Sequence, residues 1–320
     1  MSGSNYPNGF SNGVTIRGVP ITIAQPGQVF WVNNSSVLPL NGIGGSDGND
    51  GSYLRPFSTL DYAVGKCTAN RGDTIMVMPG HAETYSTATS LNLDVAGIAI
   101  VGLGSGNKRP TFTLDTATTT TIPVTAANIS IKNCVFTANF ADVASFFTTT
   151  TAKNLALEDC YFKATATNMN ATYIVDTNTT TNDTDGLYIV GCTWVEPDLA
   201  TIALTKVDGI NDRWTIKNNY FSLGVNNNKG LVNCTTGKYI TNLNMGGNVL
   251  YRLNTDSATG ALLYNSDTAS GSGLIYDNQV QHADTAAELL VTASGTIGTF
   301  QNFASGVVGA SGYLLPAADA

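Results

Sequence analysis

One short pattern recurs along most of this chain and constrains its fold more than any other feature. In each copy, apolar residues alternate with polar ones, then come Asn, Asp or Gly, then Cys or Asn, and then apolar or aromatic residues. The Cys or Asn position falls, at steps of 26, 32, 27, 29, 30 and 24 residues, on Cys134, Cys160, Cys192, Asn219, Asn248, Asn278 and Asn302. The mean step is 28 residues. A fixed period in this range is typical of repeat proteins that stack one supersecondary unit on the next.

A second series of residues keeps the same phase. A carboxylate or amide follows each Cys or Asn position, with the exception of the last, after six to eight residues, at Asp142, Asn168, Asp198, Asn227, Asp256 and Asp284. Another short β-type run comes after each of these turn residues, so each repeat contains at least two strands. We interpret this second series as a ladder of turns.

Short alternating strands at this period predict an all-β, single-stranded right-handed parallel β-helix, a solenoid in which each coil pairs with the coils above and below. Inward residues at equivalent positions then stack, and Asn side chains in register can hydrogen-bond along the axis. Cys134, Cys160 and Cys192 are expected to continue this column as buried structural thiols rather than as catalytic or metal-binding groups.

The segment before the first coil predicts a helical lid. Ser58 and Asp61 suggest a capping box, and Leu60, Ala63, Val64 and Cys67 follow the spacing of an amphipathic helix. We expect this helix to cover the N-terminal end of the solenoid, and the first strand to span residues 74–78.

The predicted organisation has four parts: an N-terminal attachment arm (1–45), a turn-rich segment with the capping helix (46–72), the parallel β-helix (73–305) and a C-terminal cap or tail (306–320). The apolar runs within residues 1–40 are expected to belong to no coil. We therefore predict that Phe10, Arg17, Phe30 and Trp31 attach the arm to a partner, because large apolar and Arg side chains dominate interfaces. The alternative is that they pack against the first coils. The C-terminal segment is either a cap or a contact peptide.

Composition excludes several classes of function. The 15 basic residues are scattered among 23 acidic ones, for a net charge of −8, which argues against nucleic-acid binding. Neither a signal peptide nor a membrane-spanning run is evident, so we expect a soluble product and reduced cysteines. Two histidines leave little material for a catalytic triad or a His-based metal site.

Asp47, Asn49 and Asp50 resemble the start of a calcium loop, but the late glutamate of such a loop is missing. We expect no cofactor and no metal.

Three segments carry a resemblance to a known group of proteins. Residues 45–51, 55–63 and 71–80 (GSDGNDG, RPFSTLDYA and RGDTIMVMPG) resemble the first segment of pectate-lyase-like β-helix proteins of tailed bacteriophages. Residues 8–14, 17–20 and 26–32 are similar to the start of uncharacterised phage particle proteins with the same β-helix body. The resemblance spans nearly the whole chain and implies a virion protein that forms a homotrimer.

Enzymes of this fold need carboxylate pairs in a groove, or calcium-binding acids with a basic residue. The candidates here are Glu158, Asp159, Glu196 and Asp198 as acids, with Lys132, Lys217 and Arg213 as bases. Neighbours on a strand point to opposite faces, so Glu158 and Asp159 are expected to diverge. Asp198 belongs to the turn ladder, and Lys132 and Lys217 are expected to be solvated charges. We therefore predict no enzymatic activity and assign no catalytic residue.

The sequence thus predicts a non-enzymatic phage structural protein that decorates or cements the capsid surface through its N-terminal arm. The alternative is a tail fibre or tailspike that binds or cleaves host polysaccharide. We favour decoration because little chain follows the repeats. The expected partners are the major capsid protein or other virion proteins, with no nucleic acid and no membrane. The expected location is the capsid or tail surface of a virion, after synthesis in the host cytoplasm.

Overall fold

Strands that lie about one repeat apart pair side by side in parallel. For example, Phe136 is the register partner of Phe112 on one side and of Phe162 on the other. The computed structural model describes residues 14–16, 19–21, 27–36, 38, 42–166, 169–196, 203–223, 231–252, 262–265, 271–281, 291–292, 295–305 and 313–315. It is an all-β parallel solenoid, and seven of its coils have a strand in each of three sheets. The predicted β-helix fold is confirmed.

The first sheet contains ten parallel strands. They are Val29–Val32, Thr74–Val77, Ala99–Gly102, Ser130–Lys132, Ala156–Glu158, Tyr188–Val190, Thr215–Lys217, Leu243–Gly246, Gly271–Tyr276 and Gly295–Phe300. Their middle residues point inward in register, as in the column of Ile131, Leu157 and Ile189.

The second sheet also contains ten strands. They are Ala82–Tyr85, Thr111–Leu114, Val135–Ala138, Tyr161–Ala164, Thr193–Glu196, Tyr220–Leu223, Val249–Arg252, Gln279–Gln281, Asn302–Ser305 and Tyr313–Leu315. Inward aromatic rings stack from coil to coil: the Phe112 and Phe136 centroids lie 5.6 Å apart, and those of Phe136 and Phe162 lie 5.4 Å apart. Trp194 and Phe221 continue this column. Each stacked pair adds about 1 kcal/mol beyond the apolar area that it buries.

The third sheet has seven strands. They are Ile122–Val124, Val143–Thr149, Ala171–Thr177, Ala203–Val207, Val232–Cys234, Leu263–Asn265 and Val291–Thr292. Two small sheets pair Val14–Ile16 with Val19–Ile21, and Asn211–Asp212 with Ile240–Thr241. An α-helix spans Leu60–Lys66 and a 3₁₀-helix spans Gly106–Lys108.

A residue with positive φ turns the chain from the first sheet into the column of Cys and Asn. These residues are Asn133, Asp159, Gly191, Asn218, Gly247, Asp277 and Gln301, with φ between 52° and 67°. Left-handed backbone costs Gly least, and Asn and Asp tolerate it best among other residues. The backbone corner therefore explains why Asn, Asp or Gly precedes the ladder position in the repeat. At Gly191, a Cβ would also lie 2.5 Å from Oδ1 of Asp159 in the preceding coil.

The ladder residues lie in one buried column whose hydrogen bonds run along the axis. Asn248 donates from Nδ2 to the carbonyl oxygen of Ile216 in the preceding coil, at 2.9 Å. Its Oδ1 accepts from the backbone N–H and the side-chain amide of Asn219, at 3.1 and 2.9 Å. The same contacts recur at Asn278 and Asn302. Each of these side chains thus joins two coils.

Cysteines occupy the same column in the earlier coils. Cys160 directs its thiol to the carbonyl oxygen of Ile131 at 3.6 Å, and Cys192 directs its thiol to that of Leu157 at 3.4 Å. The backbone N–H of Cys192 donates to Oδ1 of Asn219 at 2.8 Å, where the column changes from Cys to Asn. Cys134, Cys160 and Cys192 therefore lie in neighbouring coils.

The N-terminal end of the rod differs from the prediction in two details. Strand Val29–Val32 pairs in parallel with Thr74–Val77, so the expectation that it belongs to no coil is wrong. It is the first rung of the first sheet, and a boundary at residue 45 places the end of the arm too late. The N-cap of the helix is Thr59, whose hydroxyl accepts from the N–H of Tyr62, and not Ser58.

The lid helix packs onto the rod as its spacing predicts. Leu60, Ala63 and Val64 are buried in the same core cluster as the first-sheet side chains, and Cys67 packs against it half-buried. At the opposite end, Tyr313–Leu315 pairs antiparallel with the Asn302–Ser305 strand and covers the edge of the second sheet.

Of the predicted turn ladder, Asp142 has a φ of 54° and its N–H donates to the side chain of Asn170. The other members, Asn168, Asp198, Asn227, Asp256 and Asp284, lie outside the described residues.

We predict that Asn248→Ala lowers the free energy of unfolding by about 3 kcal/mol, because it removes buried partners from Ile216 and Asn219. Urea denaturation followed by circular dichroism measures the change. Gln279→Ala is the control, since Gln279 is exposed on the outer face. Equal stability of the two variants would contradict a structural role for the ladder.

Candidate functional site

The predicted attachment residues do not share one environment. Phe30 is a core residue, 9 % exposed, with its ring 5.8 Å from that of Phe57. Because it is buried in the rod, the prediction that Phe30 contacts a partner is wrong. Trp31 is half-buried and its ring meets that of Tyr53 edge-on at 4.9 Å. Phe10 and Arg17 lie outside the described residues.

The outer face of the first sheet brings together three of the predicted catalytic candidates. Nζ of Lys132 lies 3.4 Å from a carboxylate oxygen of Glu158 and 3.4 Å from one of Asp159. The expectation that these two acids diverge is wrong, because Asp159 adopts the left-handed corner conformation and turns its side chain back. All three side chains are more than a third exposed, so the cluster is a solvated surface ion pair.

The remaining candidates do not assemble into a site. Glu196 is fully buried inside the solenoid, on the inner face of the second sheet. Arg213 occupies a left-handed corner and pairs with Asp212 at 3.0 Å. Nζ of Lys217 lies 5.5 Å from the ring centroid of Tyr276. Asp198 lies outside the described residues. No predicted carboxylate pair therefore lines a groove among the described residues.

A different polar group forms on the third sheet, where strand register aligns Asp176, Lys206 and Asn233 in consecutive coils. Nζ of Lys206 lies 3.5 Å from Oδ1 of Asp176 and 2.6 Å from Oδ2 of Asp208. Tyr173, 9 % exposed, lies close enough to this ion pair and to Asn233 for them to influence its pKa. We call these five residues the third-sheet cluster. It places two carboxylates around one ammonium in a partly buried setting.

Burial shifts the titration of the third-sheet cluster. It raises the pKa of Asp176 above its ordinary value, an effect that Lys206 opposes and Asp208 reinforces. Burial lowers the pKa of Lys206, but its bond to Asp208 and the charge of Asp176 outweigh this and raise it overall. Burial also raises the pKa of Tyr173. A carboxyl group with a raised pKa, beside another carboxylate that contacts an ammonium, is a feature of acid–base sites.

The buried thiols and the histidine of the first coils are structural. Burial raises the pKa of Cys134 far above the ordinary thiol value and that of Cys234 to about 12, so both are poor nucleophiles. His81 accepts at Nδ1 from the N–H of Asn34, so Nε2 carries the proton and donates to Glu83 at 2.6 Å. The same Glu83 oxygen accepts from the N–H of Leu60 at 2.7 Å and fastens the lid helix.

Asp47, in the segment that resembles a calcium loop, is used by the chain itself. Its Oδ1 accepts from the N–H groups of Ser58 and Thr59, and its Oδ2 accepts from the Thr59 hydroxyl. Burial raises the pKa of Asp47, but these hydrogen bonds outweigh it and hold the pKa below the ordinary value. Across the described ranges, no group of three or more His, Cys, Asp and Glu side chains could hold a metal ion. No helix in that same part of the chain is long and apolar enough to cross a bilayer.

Sequence reasoning missed the third-sheet cluster entirely. The spacing of Lys206 and Asp208 hints that both side chains lie on one face of the strand. Their meeting with Asp176 depends on the register between coils, and the loops that precede the third-sheet strands vary in length. The repeated Cys or Asn marks the corner between the first and second sheets. It therefore does not predict which residues of successive third-sheet strands are register partners.

The comparisons with known proteins show only a likeness of fold. No protein-family model matches the chain, and no curated protein matches it. A solved rhamnogalacturonan lyase is similar over 85 % of this chain and 84 % of that one, with 14 % identity and a TM-score of 0.42. Similarity at this level supports no conclusion about activity.

We predict opposite pH dependence for Asp176→Asn and Asp73→Asn. Because the pKa of Asp176 is raised in the folded protein, the parent loses stability as the pH rises through that pKa and the carboxyl group ionises. The stability of Asp176→Asn relative to the parent should therefore increase towards about pH 7. Burial raises the pKa of Asp73, but bonds from Arg71, Thr68 and Gln28 outweigh it and lower the pKa.

Asp73→Asn should therefore be less stable than the parent at about pH 7, and the deficit should shrink on acidification through the lowered pKa of Asp73. Urea denaturation of both variants and the parent at about pH 3.5 and about pH 7 provides the measurement. Parallel pH profiles for the two variants would contradict the electrostatics described for Asp176 and Asp73.

Proposed function

We propose that this protein is a non-enzymatic structural protein of a tailed-phage particle, with its rod decorating or cementing the capsid surface. The phage setting is supported by the resemblance of residues 45–51, 55–63 and 71–80 to phage β-helix proteins. A rigid shaft suits this role. The ladder of Asn219, Asn248 and Asn278 and the parallel strand pairs connect each coil to the next, so the rod resists bending.

The observation that carries the attachment proposal is the sheet formed by Val14–Ile16 and Val19–Ile21. These two strands pair antiparallel with each other, and with no other strand of the described part of the chain. An isolated two-stranded sheet is marginally stable in water, so its apolar sequence favours docking on another surface. In our proposal, that surface belongs to the major capsid protein or another virion protein.

We also propose where the protein is located and how its copies associate. The protein would be made in the host cytoplasm and carried on the capsid surface, with copies associated as homotrimers. A rod that binds only the assembled shell stabilises it by mass action. Particles stripped of the protein should therefore lose resistance to heat or osmotic shock.

We predict that a chain lacking residues 1–26 folds but is not incorporated into particles. The rod begins at Val29–Val32, so the deletion leaves the first rung in place while removing the two-stranded sheet. Particle-bound and free protein are separated on a density gradient and quantified by immunoblot, and circular dichroism checks the fold.

The matched control is a chain lacking residues 316–320, which is expected to be incorporated like the parent. Gold labelling of the full chain on intact particles locates it on the head or the tail by electron microscopy. Normal incorporation of the N-terminal deletion, or absence of the full chain from particles, would overturn the proposal.

The third-sheet cluster favours a second candidate, a tail protein that cleaves host surface polysaccharide. Asp176 would supply a proton to the glycosidic oxygen, and Asp208 would act as base or nucleophile, the two roles that glycoside hydrolysis requires. Lys206 lies between them and holds both carboxylates in place. The raised pKa of Asp176 suits the acid role.

Polysaccharide extracted from the envelope of the host strain tests this candidate. If the protein is a hydrolase, it releases reducing ends, and Asp176→Asn and Asp208→Asn each lower the rate by at least about a hundredfold. Lys132→Gln is the control, because Lys132 lies in the solvated pair on another sheet and should leave the rate unchanged. An absence of release, or equal loss in the control, would rule the second candidate out.

A further inference from the structure

The C-terminal half of the rod carries several exposed apolar side chains. On the outer face of the first sheet, Tyr188, Leu274 and Phe300 are 38 %, 50 % and 46 % exposed. Ser130 and Lys132 occupy the equivalent positions in the middle of the rod, and Val29 and Trp31 occupy them in the first rung. We call Tyr188, Leu274, Tyr276 and Phe300 the C-terminal strip. A solvent-exposed series of this kind marks an interaction surface.

The strip is held rigidly along the rod axis. Tyr276 and Phe300 are register partners whose rings stack at 5.3 Å with an interplanar angle of 7°. Tyr276 lies over Gly246, where a Cβ would come within 2.7 Å of the ring. Its hydroxyl donates to Oδ1 of Asn244 at 3.2 Å. The ring is therefore fixed before any partner arrives, which lowers the entropic cost of binding.

The geometry of the Tyr276 ring disfavours a sugar or a nucleic-acid base stacked on that ring. Both bind aromatic side chains chiefly through the ring face. Along this column the order is Lys217, Gly246, Tyr276 and Phe300, so one face of Tyr276 meets the ammonium of Lys217 and the other meets Phe300. The ring edge and the side chains of Leu274 and Phe300 remain outermost. They suit an apolar protein surface.

We propose that the C-terminal strip is where a second copy of this chain packs alongside the first. Identical rods with a net charge of −8 repel one another, so contact is favoured where carboxylates are scarce. The strip and its neighbours Lys217 and Asn244 contain one positive charge and no carboxylate, although Asp277 follows at the corner and Glu158 lies on the strand paired with Tyr188–Val190. Two parallel rods also have the same strand spacing, so the strips match along their length.

This inference deepens the proposed function, since it names the surface that joins the copies. Rods attached to one particle by their N-terminal arms would point the same way and bring their strips to the same height. Shared attachment would raise the effective concentration of the copies for one another. The strip itself is a property of the rod and is testable without particles.

The test measures the mass of the purified full chain by sedimentation velocity and light scattering over a concentration series. The parent is expected to self-associate, and Leu274→Lys to weaken association at least about tenfold by placing a charge in the strip. The matched control is Ser130→Lys, in the same outward column of the first sheet, which is expected to associate like the parent. Circular dichroism confirms that each variant is folded.

Leu274→Ser, which is milder, replaces Leu274→Lys if the charged variant does not fold, and should weaken association in the same direction. A parent that sediments as a monomer at every concentration would overturn the inference. Association of Leu274→Lys that is as strong as that of Ser130→Lys would also overturn it. Because no particles are present, these outcomes are independent of the incorporation experiment with the N-terminal deletion.

Discussion

Backbone hydrogen bonding between successive coils is the constraint on which the rest of this structure depends. A single coil has strands of two to seven residues and cannot bury its own apolar side chains. Stacking in parallel supplies both the missing hydrogen bonds and the missing cover, so side chains at equivalent positions must fit against one another. The Phe112, Phe136 and Phe162 stack on the second sheet meets that requirement inside the rod.

The corner between the first and second sheets explains most of the repeat. It needs one residue in left-handed conformation and then one small polar or thiol side chain that reaches the preceding coil. An Asn ladder accepts hydrogen bonds from the buried backbone N–H groups of Cys192, Asn219, Asn248 and Asn278 at the corner, and leaving such groups unpaired costs free energy. Cys134, Cys160 and Cys192 fit the same space with weaker hydrogen bonds, which explains why the column tolerates both residue types.

Outward positions are free of these packing demands, and there the coils differ. The N-terminal half presents the pair of Lys132 and Glu158, whereas the C-terminal half presents Leu274 and Phe300. The third sheet adds a partly buried ion pair of Lys206 with two carboxylates. Inward side chains therefore recur at a regular spacing, whereas the outer surface varies from coil to coil. This outer surface can attach, associate or bind ligands, and the proposed functions involve it.

The sequence by itself determined the fold class, the lid helix and the column from Cys134 to Asn302, because each depends on local spacing that repeats along the chain. It did not determine that Val29–Val32 is the first rung, since pairing with Thr74–Val77 spans a long lid segment that breaks the period. Nor did it place Glu158 and Asp159 on one side of Lys132, which depends on a single left-handed φ. The meeting of Asp176, Lys206 and Asp208 was decided only by tertiary structure. Asp176 lies one coil before Lys206 and Asp208, and only hydrogen bonding between coils fixes which side chains become neighbours.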